Sequence, residues 1–188
     1  MYKLFMLLIG CSPAGRHTEQ HDVFFSIGKN IRDVIPAAFD FWPEAKQTLH
    51  LDAWREVNLV NGFAIKVIEE RGLGSDTQLF FINLGGYKRD EFEEFHYKML
   101  VAAADKGLAI MQSKQTAFYR HTGFKDAPSH IDDKYGIDVD DIYHISDILP
   151  RSIKQQFSLN ITKAAEDMPE DELHLGYFTP DKIDRWAV

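Results

Sequence analysis

Cysteine is nearly absent from this chain of 188 residues, which contains Cys11 and no other. A single cysteine excludes a disulfide within the chain and any zinc or iron–sulfur site built from several thiolates. Disulfides persist in oxidising compartments and are rare where thiols are kept reduced. The lack of cysteine therefore favours a reducing compartment, and we expect a cytoplasmic protein.

Clusters of basic side chains are also missing. Lysine and arginine together number 21, against 29 aspartates and glutamates, and the net charge is −8. Nucleic-acid binding needs lysine and arginine gathered on one surface, where they neutralise phosphates. The composition therefore argues against a nucleic-acid partner and predicts an acidic surface.

Long apolar runs are absent as well. The run near the start of the chain covers Leu4–Ile9, which is far short of a membrane span and short for a secretory signal. A matching run, Leu79–Leu84, lies in the middle of the chain, where a signal sequence has no role. Each run is followed by glycine, so both predict buried strands, and no membrane partner is expected.

Two stretches of the chain share one pattern at a nearly constant spacing. A first set of matches lies 75 residues apart and pairs Leu4-Phe5, Gly10 and Glu19-x-His21 with Leu79-Phe80, Gly85 and Glu94-x-His96. A second set lies 80 residues apart and pairs His50-x-Asp52 and Val57–Ile65 with His130-x-Asp132 and Ile137–Ile145. The second copy thus carries a five-residue insertion. A repeat of this length indicates duplication of a supersecondary unit.

Local patterns predict the same order of elements in both copies. The first copy is predicted to contain strands Leu4–Ile9 and Val23–Ile27, a helix over 31–42, a strand Leu49–Val60, a turn at Asn61-Gly62 and a strand Phe63–Ile68. The second is predicted to contain strands Leu79–Leu84 and His96–Ala103, a helix over 105–118, and strands Ile131–Val139 and Ile142–Ile148. Beyond Pro150, a helix Ser152–Ala165 and a strand Glu172–Phe178 are expected.

The predicted fold class is therefore α+β. We expect two ββαββ repeats related by a pseudo-twofold, over residues 1–70 and 77–149. Residues 150–188 should form a C-terminal helix and strand packed on the repeats, all within one compact domain.

Histidine and carboxylate pairs are the candidate chemistry of both copies. Residues two apart on a strand project from the same face. The pairs are Glu19 with His21 and His50 with Asp52 in the first copy, and Glu94 with His96 and His130 with Asp132 in the second. If the strands of one copy lie close, two imidazoles and two carboxylates converge. That set suits a divalent metal such as Zn, Mn or Fe, or a His–carboxylate acid/base pair.

A structural role for these pairs is the alternative interpretation. In it, each carboxylate orients a histidine or a backbone N–H and ties strands together. No H-E-x-x-H motif, phosphate-binding loop or nucleophile elbow is present, so no motif implies a cofactor, although the residue types are compatible with a divalent metal. Cys11 has only His17 nearby in sequence as a base, and it is not expected to act as a nucleophile.

Three segments together resemble the domain-of-unknown-function 1543 family. They are Glu19–Asp22, the stretch His50–Phe63, and its copy His130–Val139. The resemblance covers residues 3–148 and extends weakly to His174–Tyr177. Members of the family carry one or two copies of this short unit. The resemblance implies an intracellular bacterial origin but no particular activity and no catalytic residue.

Two functional hypotheses follow from these observations. The first, which we favour because nucleophile, cofactor and metal motifs are lacking, is a non-catalytic module that binds a small molecule or a protein partner. The second is a small metal-dependent or His–carboxylate enzyme that uses the Glu-x-His and His-x-Asp pairs. A homodimer is compatible with either. The two hypotheses differ on whether Glu19, His21, His50 and Asp52 converge around an open position.

Overall fold

The computed structural model of the chain describes residues 1–45, 48–69, 75–116, 130–131, 142–179 and 182, with the backbone alone at 130–131. These residues form a mixed α+β structure in which antiparallel strands predominate, which confirms the predicted class. Two compact units are present, Met1–Leu73 with Leu149–Val188, and Gly74–Ile148. None of the described helices has the length and apolar character needed to cross a membrane.

The helices and strands are numbered in chain order. They are β1 (Lys3–Cys11), β2 (Gln20–Gly28), α1 (Ile31–Phe41), β3 (His50–Glu56), β4 (Leu59–Val60), β5 (Phe63–Ile68), β6 (Gln78–Tyr87), β7 (Glu94–Ala103), α2 (Lys106–Ser113), β8 (His130–Ile131), β9 (Ile142–His144), α3 (Ile145–Ile148), α4 (Arg151–Gln156), β10 (Ser158–Lys163) and β11 (His174–Phe178).

The first unit is built on an antiparallel sheet of order β11–β3–β1–β2. β1 lies between two partners. Its side chains on one face are fully buried, whereas Met6 and Leu8 on the other face are only partly buried. Its alternate side chains Phe5, Leu7 and Ile9 join a core cluster with α1. The helix begins after Asn30, whose side chain accepts a hydrogen bond from the N–H of Arg32 (2.9 Å), as expected for an N-cap.

A second sheet of the first unit has the order β10–β5–β4. The hairpin between β4 and β5 turns at Asn61 and Gly62, whose φ angles are 38° and 82°, so the predicted turn is confirmed. The predicted strand Leu49–Val60 is divided into β3 and β4. The division lets β4 leave the sheet of β1 and pair with β5 instead.

The predicted helix Ser152–Ala165 is wrong in its second half. The helix α4 ends at Gln156, Phe157 is extended (φ −125°, ψ 153°), and Ser158–Lys163 is strand β10. The apolar residues of this segment fit a helical spacing, but Ile161 lies opposite Ile65 on β5. A partner strand supplies hydrogen bonds that local spacing does not reveal, so tertiary pairing overrides the helical pattern.

The second unit repeats part of the pairing seen in the first. β6 pairs with β7, and Gly85 lies opposite His96, as Gly10 lies opposite His21 in the first unit. On its other side, Gly85 lies opposite His130 of β8, as Gly10 lies opposite His50. The helix α2 packs on the core side of β6 and β7, with Asp105 as its N-cap.

Two predictions for the second unit need correction. The predicted strand Ile142–Ile148 is strand only as far as His144, where it pairs with β6, and it continues as helix α3. Ile142 is buried against β6, which explains this choice of partner. The helix predicted over 105–118 ends at Ser113, and the remainder of the strand predicted over 131–139 lies outside the described residues.

The predicted strand near the C-terminus is confirmed as β11, which pairs with β3. Phe178 is buried in the α1 core cluster, whereas Leu175 is 72% exposed on the same strand. We therefore expect Phe178→Ala to lower the free energy of unfolding by about 3 kcal/mol, because it removes a core ring and leaves a cavity. Leu175→Ala should stay within about 0.5 kcal/mol of the wild type. Urea denaturation of both variants measures this, and equal losses would contradict docking through Phe178.

Candidate functional site

The candidate site of the first unit is centred on a row of three residues across the sheet. On β1, Gly10 lies opposite His21 of β2 on one side and opposite His50 of β3 on the other. A side chain at Gly10 would collide with this site, because a Cβ atom there would lie 2.5 Å from His50 Nε2 and 2.6 Å from Asp52 Oδ2. The gap left by glycine is therefore the space in which side chains from both neighbouring strands meet.

A β-bulge lies at the aspartate. The pairing of β1 with β3 shifts between Leu8, which lies opposite Ala53, and Ile9, which lies opposite Leu51. Asp52 is thus the extra residue on β3 and has no partner on β1. Its carboxylate lies beside the row centred on Gly10, with Oδ2 2.9 Å from His21 Nε2.

The four predicted side chains of the first copy converge. His50 Nε2 is 2.9 Å from Glu19 Oε1 and 3.5 Å from Asp52 Oδ1. His21 Nε2 is 2.9 Å from Asp52 Oδ2 and 3.6 Å from Glu19 Oε2. Ligand atoms of Glu19, His21 and His50 all lie within 4.8 Å of one another. The structure therefore gathers two imidazoles and two carboxylates at one place, named here the Gly10 cluster.

The two histidine nitrogens of His50 have different surroundings. Nδ1 lies 2.9 Å from the carbonyl oxygen of Thr48, and a carbonyl can only accept, so Nδ1 carries the proton. Nε2 is then the nitrogen that faces the carboxylates of Glu19 and Asp52. His50 Nε2 is buried and makes no hydrogen bond, although Glu19 Oε1 lies 2.9 Å away. Asp52 Oδ2 is likewise buried without a hydrogen bond, although His21 Nε2 lies 2.9 Å away. These atoms lie close together, but their geometry is not that of hydrogen bonds. Ligand atoms that surround one metal ion are arranged in this way.

Exposure differs sharply across the cluster. The side chain of His50 is 2% exposed, whereas those of Glu19, His21 and Asp52 are 39%, 38% and 26% exposed. The cluster therefore has a buried floor and an open side. The ring of Tyr177, from β11, lies over the His50 ring at a centroid distance of 4.3 Å and forms one wall.

The second copy is placed less completely. His96 is exposed, and Glu94 receives a hydrogen bond from the hydroxyl of Tyr87 (2.6 Å). The backbone of His130 pairs with Gly85, and Asp132 lies outside the described residues. For the second unit, the structure therefore describes the backbone pairing of Gly85 with His96 and with His130, but not a cluster of their side chains.

Three residues beside the Gly10 cluster are not among the site residues predicted from the sequence. Gly10 only marks the end of an apolar run, Thr48 belongs to no motif, and Tyr177 lies far away in sequence. Gly10 could have been found, because its match Gly85 keeps the same spacing to a histidine. The Tyr177 contact depends on the pairing of β11 with β3, for which the sequence gives no local signal.

Cys11 and two phenylalanines of β2 are part of the core. Cys11 is fully buried beneath α1, and burial raises the pKa of its thiol, with the Glu19 carboxylate adding to the rise. A raised pKa disfavours the nucleophilic thiolate. Phe24 and Phe25 are also buried in the core. All three side chains therefore contribute to the core of the first unit.

Comparisons with known proteins agree with the resemblance seen in the sequence. The family model described as Domain of Unknown Function (DUF1543) matches residues 16–67, a stretch that includes Glu19, His21, His50 and Asp52. The chain is also similar to the crystal structure of a protein Il1583 from Idiomarina loihiensis, with a TM-score of 0.58 and 20% identity over 95% of this chain and 97% of that one. At this identity the likeness concerns the fold alone. No curated protein matches the chain.

The crowding at Gly10 makes a testable prediction. Gly10→Ala should lower the free energy of unfolding by about 1–3 kcal/mol, because its methyl group forces the His50 ring and the Asp52 carboxylate from their packed positions. Chemical denaturation followed by circular dichroism measures the change. A stability equal to that of the wild type would show that the cluster opens at no cost, in contradiction to the geometry described above.

Proposed function

We propose that this chain, whose residues 16–67 belong to the DUF1543 family, is a binding protein for one divalent transition-metal ion in its first unit. Glu19, His21 and His50 supply the ligand atoms, and Asp52 supplies a second carboxylate beside them. The metal ion in turn presents a coordination position to a small molecule, so the proposal remains within the small-molecule-binding class expected from the sequence.

The buried Nε2 atom of His50 is the single observation that carries this proposal. Burying a polar nitrogen without a hydrogen bond costs free energy, and native structures rarely leave one so. The proton on Nδ1 is held by the Thr48 carbonyl, which is how proteins fix the tautomer of a metal-binding histidine. A metal ion would satisfy Nε2 and Asp52 Oδ2 together.

The donor set and its spacing indicate which ions fit. Imidazole and carboxylate donors suit Zn, Mn or Fe better than Ca or Mg, which take oxygen ligands. Ligands bound at about 2.0–2.2 Å from one zinc ion lie about 3–3.5 Å apart. The nitrogen-to-oxygen distances in the Gly10 cluster run from 2.9 to 3.6 Å. These distances support the proposal, as does the placement of ligand atoms of Glu19, His21 and His50 within 4.8 Å of one another.

An enzymatic role is the second candidate function, and the exposure of the cluster favours it. Glu19, His21 and Asp52 are partly open to water, so a bound ion would keep a position for water or substrate, as catalytic zinc sites do. A metal ion in such a site lowers the pKa of its bound water. The reducing, cytoplasmic and bacterial setting inferred from the sequence is part of this proposal and suits Zn, Mn or Fe.

We further propose that the chain arose by duplication and carries a related site in its second unit. The pairing of Gly85 with His96 and with His130 supports this proposal, because it repeats the pairing of Gly10. The proposed residues are Glu94, His96, His130 and Asp132. The proposed order of elements, ββαββ in each copy, belongs to the same hypothesis.

Zinc titration tests the first site. After treatment with a chelator, His50→Ala should bind one equivalent less zinc than the wild type in calorimetry, because it lacks the buried ligand. Saturating zinc should also raise the melting temperature of His50→Ala less than that of the wild type, because a ligand that binds the folded state stabilises it. His17→Ala is the matched control, because His17 is exposed and is not part of the cluster.

Melting without metal separates the site from a structural role. If the His–carboxylate pairs are structural, His50→Ala and His130→Ala should each lower the free energy of unfolding by about 1–3 kcal/mol, because each leaves a carboxylate unpaired. If they form a site, stability without metal should stay nearly unchanged or rise, because functional groups often sit in costly settings. Zinc binding by His50→Ala equal to that of the wild type, together with a clear loss of metal-free stability, would overturn the proposal.

The second site has its own titration. His96→Ala should bind one equivalent of zinc less than the wild type, because the second unit then lacks a histidine of its row. The double variant His50→Ala with His96→Ala should bind no zinc tightly, because a histidine is then missing from each unit. The stoichiometries of the single variants, the double variant and the wild type form one series. If His96→Ala keeps the full stoichiometry of the wild type, the second site does not exist.

A further inference from the structure

The first unit also contains a cavity of about 400 Å³ between the end of β3 and the segment that leads into β11. Its lining includes Glu56, Asn58, the segment Met168–Glu172 and His174, and it is named here the acidic cavity. Its volume lies within the range of sites for small molecules. Carboxylates dominate its polar lining, whereas Met168 and Pro169 supply an apolar part.

Asp171 is the buried carboxylate of this cavity. Its side chain is 3% exposed. Oδ1 accepts hydrogen bonds from the N–H groups of Asn58 (2.9 Å) and Leu59 (3.2 Å). Oδ2 is buried and makes no hydrogen bond, and Arg55 Nη1 lies 3.9 Å from it, beyond hydrogen-bond distance. One oxygen thus anchors the segment, and the other has no donor.

The charge of Asp171 is incompletely compensated. Burial raises the pKa of its carboxyl group, although the backbone N–H groups of Asn58 and Leu59, the charge of Arg55 and the side-chain amide of Asn58 act in the opposite direction. A buried anion in this condition is stabilised by any cation that reaches it. A cationic ligand would therefore gain more here than at an exposed carboxylate.

The remaining polar groups of the cavity favour a ligand that donates hydrogen bonds. Ionised carboxylates only accept. The side-chain amide of Asn58 already donates to the Glu56 carbonyl oxygen (3.3 Å), while Glu56 Oε1 accepts from Lys3 (2.8 Å). These donors are thus engaged by Glu56, and Asp171 Oδ2 is left as a buried acceptor without a hydrogen bond.

The spacing of these acids does not suit a metal ion. Within the part of the chain that the structure describes, three ligand atoms of His, Cys, Asp or Glu come together only at Glu19, His21 and His50. The acids of the cavity are therefore too dispersed to coordinate one small ion. An extended organic cation can reach separate carboxylates, and the His174 ring, which stacks on Trp54 at 3.8 Å, gives it a flat wall.

We propose that the acidic cavity binds a small organic cation with a guanidinium or primary ammonium group, whose N–H donates to Asp171 Oδ2. The carbon chain of the ligand packs on Met168 and Pro169, and the carboxylates of Glu170 and Glu172 lie where a second cationic end would be attracted. This site is separate from the Gly10 cluster and does not depend on it.

Agmatine, which carries a guanidinium and an ammonium group on a four-carbon chain, is a suitable probe. Calorimetry on the chelator-treated full chain should show saturable binding of agmatine and none of 1,4-butanediol, which has the same carbon chain without charge. Asp171→Asn keeps Oδ1 as acceptor for Asn58 and Leu59 but removes the charge, so it should bind agmatine roughly tenfold or more weakly. Glu166→Gln removes an exposed acid outside the cavity and should bind like the wild type.

Amide chemical shifts of the wild-type protein give a readout that needs no variant. Agmatine should move the N–H resonances of Asn58 and Leu59, because both donate to the carboxylate that the ligand engages. If agmatine does not bind, if Asp171→Asn binds it as well as the wild type does, or if these two resonances stay in place while others move, the proposal is overturned.

Discussion

The missing side chain at Gly10 is the constraint on which the Gly10 cluster depends. His21 and His50 lie on strands to either side of β1, so their backbones are about 10 Å apart, twice the spacing of neighbouring strands. Two imidazoles can meet across a middle strand only if the residue between them leaves the space empty. A Cβ atom at Gly10 would occupy the position from which His50 Nε2 faces the carboxylates. Backbone pairing and one absent methyl group together therefore produce the cluster.

The sheet of β1 also supplies the stability that offsets the unsatisfied polar atoms of the Gly10 cluster. On one face of β1, Phe5, Leu7 and Ile9 pack with α1 in a continuous core, which keeps the backbone of the strand rigid. On the opposite face, at the end of the strand, the cluster leaves a buried imidazole nitrogen and a carboxylate oxygen without hydrogen bonds. Each unsatisfied group opposes folding. A rigid core supplies the stability that permits such a site, and it also fixes the ligand geometry more closely than a loop would.

The part of this structure that could be predicted from sequence follows from local periodicity. The period of two along a strand predicts that Glu19 and His21, or His50 and Asp52, share a face, and glycine and Asn-Gly turns mark where strands end. What could not be predicted depends on distant partners. The segment Ser158–Lys163 is a strand because β5 is available, and Tyr177 covers His50 because β11 pairs with β3. The bulge at Asp52 likewise arises from the register between two strands, which neither strand encodes alone.

The first unit contains two groups of acidic residues, the Gly10 cluster and the acidic cavity. The ligands proposed for them belong to different classes because the two geometries differ. In the Gly10 cluster, two carboxylates stand beside two histidines within the spacing of ligands on a single ion. In the acidic cavity, carboxylates surround a larger space, and only Asp171 is buried without a donor for one oxygen. Charge alone would attract cations to both. The proposed metal ion at the Gly10 cluster rests on the convergence of the ligand atoms. The organic cation proposed for the acidic cavity rests on the wider spacing of the carboxylates and on the apolar part of the lining.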